Sequence, residues 1–339
     1  MALPRRLRYT DKMDIVAIGD STEDIFLGLH DASVQCAIDG HSCMLCLDYG
    51  EKIGVDSKTI ISAVGNAANH AIGVARLGCS TGIYTIVGDD DEGKRALEIF
   101  QQNKVDTAFV AIDAKHGTNL SIVINFKSER TILVYHEPRT YTLPDLASPS
   151  WIYLTSASEG GVEVLHQQVV AYLELHPNVR VAFNPGTHQI KLGKDLLMPL
   201  LAKTAIIFVN REEAARVLEV ETRDVKVLAK AFHDIGISTV VITDGPDGSY
   251  ASDGRQIYHL ARFPVKEVER TGAGDAYGSG FLAALVNKKT IPEAMQWGGA
   301  NAASVVQHIG GREGLLEQGA IAHMIQEYVD ITPRVFDTI

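Results

Sequence analysis

The sequence predicts an α/β fold: a mainly parallel sheet covered by helices on both faces, with a small β-sheet carried on it. Three observations lead there. Strand-like and helix-like runs alternate through most of the 339 residues. The strand-like runs are short and continuously apolar, as in strands buried on both faces. Two stretches, about 25–55 and 118–136, break the alternation with strands that no helix separates.

The first strand is Ile15-Val16-Ala17-Ile18, ending at Gly19. Ala67–Leu77 places apolar residues at helical spacing and stops at Gly78. Thr81–Val87 reads as the next strand and Asp91–Asn103 as the next helix. Leu120–Phe126 and Thr131–Tyr135 form a hairpin around a charged turn near Ser128-Glu129-Arg130. Strands follow at Trp151–Leu154, Val179–Phe183, Ile206–Val209 and Thr239–Ile242, with helices at Val162–Leu175, Glu212–Leu218 and Val225–Asp234. This rhythm gives one domain over 14–339, after an N-terminal tail at 1–13. The tail is basic but lacks an apolar stretch, so it does not read as a secretory signal.

Composition narrows the function. Hydrophobic residues are 46% and charged residues 22%, which excludes a disordered chain. No apolar run approaches the roughly 18 residues of a membrane span. The net charge of −11 argues against a broad nucleic-acid surface. The cysteines are Cys36, Cys43, Cys46 and Cys79, too few for a disulfide scaffold, and a reducing cytoplasm is expected. His41, Cys43 and Cys46 form H-x-C-x-x-C, a fragment of a metal motif. A structural zinc site usually needs four ligands and no second C-x-x-C exists, so ordinary thiols on a β-segment are the reading.

The segment that carries chemistry is Glu269-Arg270-Thr271-Gly272-Ala273-Gly274-Asp275-Ala276-Tyr277, which opens a helix running through Leu285. Glycines at a helix start let the backbone approach a ligand and aim unpaired N–H groups at it. The helix start also carries partial positive charge, which favours an anion such as a transferring phosphoryl group. Asp275 sits in that first turn. It can take a proton from a substrate hydroxyl while nearby N–H groups stabilise developing charge; the alternative is a helix cap. No G-x-x-x-x-G-K-[ST] loop exists and no G-x-G-x-x-G follows the first strand, so Walker and Rossmann sites have no motif here.

Thr271–Tyr277 resembles the C-terminal signature of the ribokinase-like (PfkB-type) carbohydrate kinase family. Gly65-Asn66-Ala67-Ala68-Asn69-His70-Ala71, followed by Ala75-Arg76-Leu77-Gly78, is similar to its N-terminal signature. Asn210-Arg211-Glu212-Glu213 is similar to the family's N-x-x-E motif, and Thr243-Asp244-Gly245-Pro246-Asp247-Gly248 to its nucleotide-side glycine loop. The four motifs stand in the family's order.

The resemblance implies a three-layer αβα sandwich with a β-sheet lid. It implies transfer of the γ-phosphate of ATP to a hydroxyl of a sugar of ribose, fructose or sugar-acid type. A nucleoside is the alternative acceptor, with Phe26, Tyr49, Phe126 and Tyr135 as a possible base clamp. A catalytically silent sugar-binding relative is a third reading. Asp275 is implied as general base, with Gly272, Ala273 and Gly274 as the anion hole. Asp24, Gly65 and Asn69 are implied on the substrate, where a carboxylate and an amide suit a polyol. Thr243, Gly245, Gly248, Asn301 and the region of Gly310 are implied around the nucleotide. Asn210 and Glu213 are implied to place Mg²⁺ largely through water.

Plainer roles stand beside these. Asn210 and Glu213 also suit a helix N-cap and its N3 partner, Asp24 a solvated turn, and Gly245 a hairpin glycine. Asn184-Pro185-Gly186 resembles a family loop near the phosphates but also reads as a turn. Thr155, Ser156 and Ser158 end a strand at the edge where α/β proteins bind ligands.

The chain departs from the family at three places. Val64 precedes Gly65 where a second glycine is usual. His136-Glu137-Pro138 replaces a Gly-Ala-Asn run. Glu269-Arg270 replaces Asp-Thr, which leaves a monovalent-cation site uncertain. Arg270 sets a permanent cation beside the anion hole, suited to ATP phosphates. The lid's exposed edge predicts a homodimer through that sheet.

Overall fold

The computed structural model describes residues 12–36, 43–127 and 129–339. Most of the tail, and His41 of the H-x-C-x-x-C fragment, lie outside the described residues. A ten-stranded sheet forms the centre. From Val105–Asp106 its neighbours are Thr81–Tyr84, Ile15–Ile18, Trp151–Leu154, Arg180–Phe183, Thr204–Asn210 and Thr239–Thr243, all parallel. Ser249–Ser252, Gln256–Leu260 and Arg334–Thr338 complete it antiparallel. The sequence reading did not include these last three. Ser249–Ser252 and Gln256–Leu260 are antiparallel because their linker is short: Asp253 Oδ1 accepts from the Arg255 and Gln256 N–H groups, closing a turn far too short for a helical crossover.

Successive strand residues point to opposite faces, and both faces are dry. Val16, Ile18, Ile152, Leu154, Val181 and Phe183 pack under the helices Val162–Leu175 and Val225–Ile235. Ile15, Tyr153, Ala182, Ile206 and Phe208 pack against the helices Ala273–Val286 and Ile291–Val305. Phe281 is wholly buried between sheet and helix, and truncating such a ring costs about 3–5 kcal/mol. The three-layer αβα architecture follows from this alternation.

The lid is a four-stranded sheet in the order Glu129–Tyr135, Asn119–Phe126, Thr22–Gly28, Ser57–Val64. Its middle pair is parallel and its outer pairs antiparallel. Three expectations are corrected. Within the stretch 25–55, Ser33–Cys36 and Cys43–Cys46 form a separate hairpin, and the lid takes Ser57–Val64 instead. Glu129 and Arg130 belong to the strand rather than the turn, because Phe126 pairs with Glu129. The run Thr81–Val87 is divided: Ile86–Gly88 leaves the main sheet to pair with Ala111–Asp113.

Cysteine pairing is a further correction. Cys36 and Cys43 stand opposite each other in the small hairpin, with Cα atoms 4.0 Å apart, and form a disulfide. Cys46 and Cys79 are free. Among the described residues no group of three His, Cys, Asp or Glu side chains is arranged to hold a metal. No helix among them is long and apolar enough to cross a membrane.

Candidate active site

Gly272 governs the local geometry. It caps the helix Ala273–Val286 in the left-handed region at φ 76°. A Cβ there would lie 2.3 Å from Gly311 Cα, so only glycine fits. The first helical bond runs from Ala276 N–H to Gly272 O, so the amides before it have no helical acceptor. Ala273 N–H turns back to Arg270 O at 3.3 Å. Of the expected anion hole, this leaves the Gly272 and Gly274 N–H groups without a backbone acceptor among the described residues, and a Cβ on Gly274 would meet only open space.

Asp275 is not a cap, since no side chain caps this helix. It is 6% exposed, and its Oδ2 accepts from Asn69 Nδ2 at 2.9 Å. Burial raises its pKa to about 6; the Asn69 bond works against that rise and the charge of Glu213 adds to it. Asn69 lies in the first turn of the helix Asn66–Arg76. Its Oδ1 is buried without a partner. Gly65 starts that helix at φ 95°, where a Cβ would stand 3.0 Å from Asp20 O.

Asp24 is in a strand, not a solvated turn, and is 8% exposed. Burial lifts its pKa to about 6, opposed by hydrogen bonds from Thr22 and Ser121. Nearby, the buried Asp20 carboxylate accepts from Tyr141 Oη at 2.5 Å and Ser158 Oγ at 3.0 Å. His136 Nδ1 stands 3.9 Å from it. Burial raises the Asp20 pKa and lowers that of His136. Asp20 is not among the expected site residues, although its place just after the first strand, where α/β proteins bind ligands, is a usable signal.

A cavity of about 250 Å³ opens on the other side of the glycine turn. Thr243, Gly245, Gly248, Arg270, Ala273 and Gly274 line it, with apolar walls from Pro246, Phe263, Val265, Tyr277, Ala302 and Val306. Arg270 Nε and Nη2 donate to Glu267 Oε2 at 3.0 and 2.9 Å. Gly245 begins a short 3₁₀ turn. Asn301 is not part of this wall: it is wholly buried and ties Ala276 O, Ser279 Oγ and Leu316 N–H together. Gly310 is likewise absent from the wall; it faces Ile61 of the lid, and its N–H donates to Glu269 Oε2. The apolar walls were illegible because they come from separate segments, the turn at Pro246, the loop at Phe263 and Val265, and two helices, which share no motif.

Asn210 and Glu213 form a reciprocal capping box, Asn210 N–H to Glu213 Oε2 at 2.9 Å and Glu213 N–H to Asn210 Oδ1 at 2.8 Å. Burial raises the Glu213 pKa. Asn184 bridges Tyr153 Oη and Phe208 O, and Gly186 starts a short helix. Thr155 is buried, its O accepting from Gln189 Nε2, while the Ser156 side chain packs on Gly186. The four aromatics of the alternative base clamp differ in exposure. Phe26 packs in the lid core and Phe126 is buried, whereas Tyr49 and Tyr135 are exposed.

Residues 42–318 match the pfkB family carbohydrate kinase. A ribokinase of Haemophilus influenzae is 29% identical over 264 residues, covering 74% of this chain and 83% of its own. A 5-dehydro-2-deoxygluconokinase of Bacillus cereus is 30% identical over 288 residues, covering 77% and 86%. The structure of Arabidopsis thaliana ribokinase complexed with ribose and ATP superposes with a TM-score of 0.77 at 19% identity, over 93% of this chain and 99% of that one. The chain belongs to the pfkB family and is an ATP-dependent carbohydrate kinase.

Proposed function

We propose that this kinase phosphorylates a hydroxyl of a sugar of ribose, fructose or sugar-acid type, with Asp275 as general base. One observation carries the reading: a buried carboxylate, its pKa raised by burial to about 6, sits in the first turn of a glycine-capped helix beside a cavity of about 250 Å³. Asp275 takes the acceptor's proton as its oxygen attacks the γ-phosphorus and the bond to ADP breaks. Gly272 and Gly274 N–H groups stabilise charge on the transferring phosphoryl. Asn69 and Asp24 hold the acceptor's other hydroxyls, with Gly65 giving them room. Thr243, Gly245, Gly248 and Arg270 bind the nucleotide.

Asn210 and Glu213 suit Mg²⁺ held through water. The capping box uses one Glu213 oxygen, and the other accepts no hydrogen bond among the described residues. The charge of Glu213 also raises the cost of ionising Asp275, and a Mg²⁺ held by Asn210 and Glu213 would offset that charge. Such an ion would neutralise charge on the phosphate oxygens.

Phe26 and Phe126 are buried and Tyr49 and Tyr135 are exposed, which favours a sugar over a nucleoside. A homodimer through the lid is also proposed, because the edge strand Glu129–Tyr135 is exposed along its length and shows Leu133, Val134 and Tyr135 to solvent. An ADP-release screen with ATP against sugars, sugar acids and nucleosides tests the acceptor. Stimulation by a sugar or sugar acid, abolished in Asp275→Asn, is expected; stimulation by nucleosides alone sinks the sugar reading.

A further inference from the structure

The lid strand Glu129–Tyr135 delivers one cation to the body of the molecule. Arg130 Nε lies 3.5 Å from Glu269 Oε1. The Glu269 side chain is 8% exposed. A carboxylate so far out of water needs partners, and among the described residues Arg130 is its only ion-pair partner. Glu269 also spans two backbone segments. Its Oε1 accepts from Thr271 N–H at 2.8 Å and from Thr271 Oγ1, and its Oε2 accepts from Gly310 N–H at 3.1 Å.

Those two segments meet at the glycine turn. Thr271 is followed by Gly272, and Gly311 follows Gly310. Gly311 presses on Gly272 so closely that neither has space for a side chain, and Asn69 Nδ2 bounds it on the other side. The same loop touches the lid again, Arg312 Nη1 donating to Ser62 O at 2.7 Å.

We propose that Arg130 is a positioning residue: by pairing with Glu269 it fixes the Gly272 turn and the Gly310 loop, so that the anion hole is fully shaped only with the lid seated. This rests on the reading of the turn as the anion hole. Charge compensation for Glu269 comes from a different layer of the structure, so seating of the acceptor-side lid and order at the phosphoryl side are energetically coupled. Arg130 touches neither reactant in this role and acts through Glu269.

Steady-state kinetics of Arg130→Ala, Arg130→Lys, Glu269→Gln and the Ala/Gln double variant test it. Arg130→Ala is expected to lower kcat about 10- to 100-fold, with KM for ATP and acceptor moving less than about threefold. Arg130→Lys should recover part of the loss. Added guanidinium ion at sub-denaturing concentration should recover activity in Arg130→Ala but not in Asp275→Asn. The double variant should be no worse than Glu269→Gln alone. Wild-type kcat in Arg130→Ala, or an additive double variant with no rescue, overturns the proposal. Amide exchange around Gly310 reads the same clasp without turnover. Faster exchange in Arg130→Ala supports it and unchanged exchange refutes it, even if the acceptor reading fails.

Discussion

The amide of Asn69 donates a 2.9 Å hydrogen bond to Asp275 across 206 residues of sequence, joining the first turns of two helices. The bond favours the ionised carboxylate and so holds the Asp275 pKa below where burial alone would set it. Asn69→Ala is therefore expected to move the acid limb of the kcat/KM profile upward from about pH 6, by about one pH unit for a charged hydrogen bond lost. An unmoved limb in a folded variant counts against Asp275 as the titrating base.

Asp275→Asn should lose about 10²–10⁴ in kcat, the usual contribution of a general base. It should also gain stability, with a defined pH dependence. The folded pKa of about 6 lies above the ordinary 3.8, so ionising Asp275 weakens the fold progressively as pH rises between those values. The variant is expected to be about 2–3 kcal/mol more stable than wild type near pH 7.5 and no more stable near pH 4. Denaturant melts at the two pH values check this.

Gly272→Ala places a methyl against the Gly311 backbone at positive φ. It should cost about 2 kcal/mol or more in stability and at least about 100-fold in kcat through the distorted turn. Stability and kinetics both near wild type would show that the turn is not held by this contact.

Ala302→Phe puts a ring into the apolar wall of the cavity. ATP KM should rise about tenfold or more, equivalent to about 1.4 kcal/mol, with acceptor KM unchanged. A rise in acceptor KM alone would assign the cavity to the acceptor instead.

Leu133→Glu puts a charge on the exposed lid strand. Wild type should scatter light as a dimer and this variant as a monomer at micromolar concentration. A monomeric wild type removes the lid interface.

The central strands were legible because burial on both faces leaves continuous apolar runs, and Trp151–Leu154 and Val162–Leu175 fall where the pattern placed them. Ser57–Val64 was not legible. Its first half is exposed and its second half buried, which erases any single period. The glycine turn and Asp275 stood out in the sequence as a glycine-rich helix start with an acid in its first turn, and Asn69 and Asp24 were named only through the resemblance to the pfkB family. Asp20, Glu269 with Arg130, and the apolar cavity wall were not, since their meaning lies in contacts between distant segments.

By itself, the sequence determined the α/β class, the four ordered motifs and the residue types able to move a phosphoryl group. Local spacing is enough for the class and for the chemistry of the helix start, because helix starts, caps and buried strands are written in consecutive residues, while the motifs took their meaning from the resemblance to the pfkB family. Only the tertiary structure decided that Asp275 bonds Asn69 rather than caps its helix, that Ala273 N–H is engaged, that Asn301 serves the core, and that a lid arginine compensates Glu269. Burial and charge pairing depend on which distant segments meet, and no run of neighbouring residues encodes that.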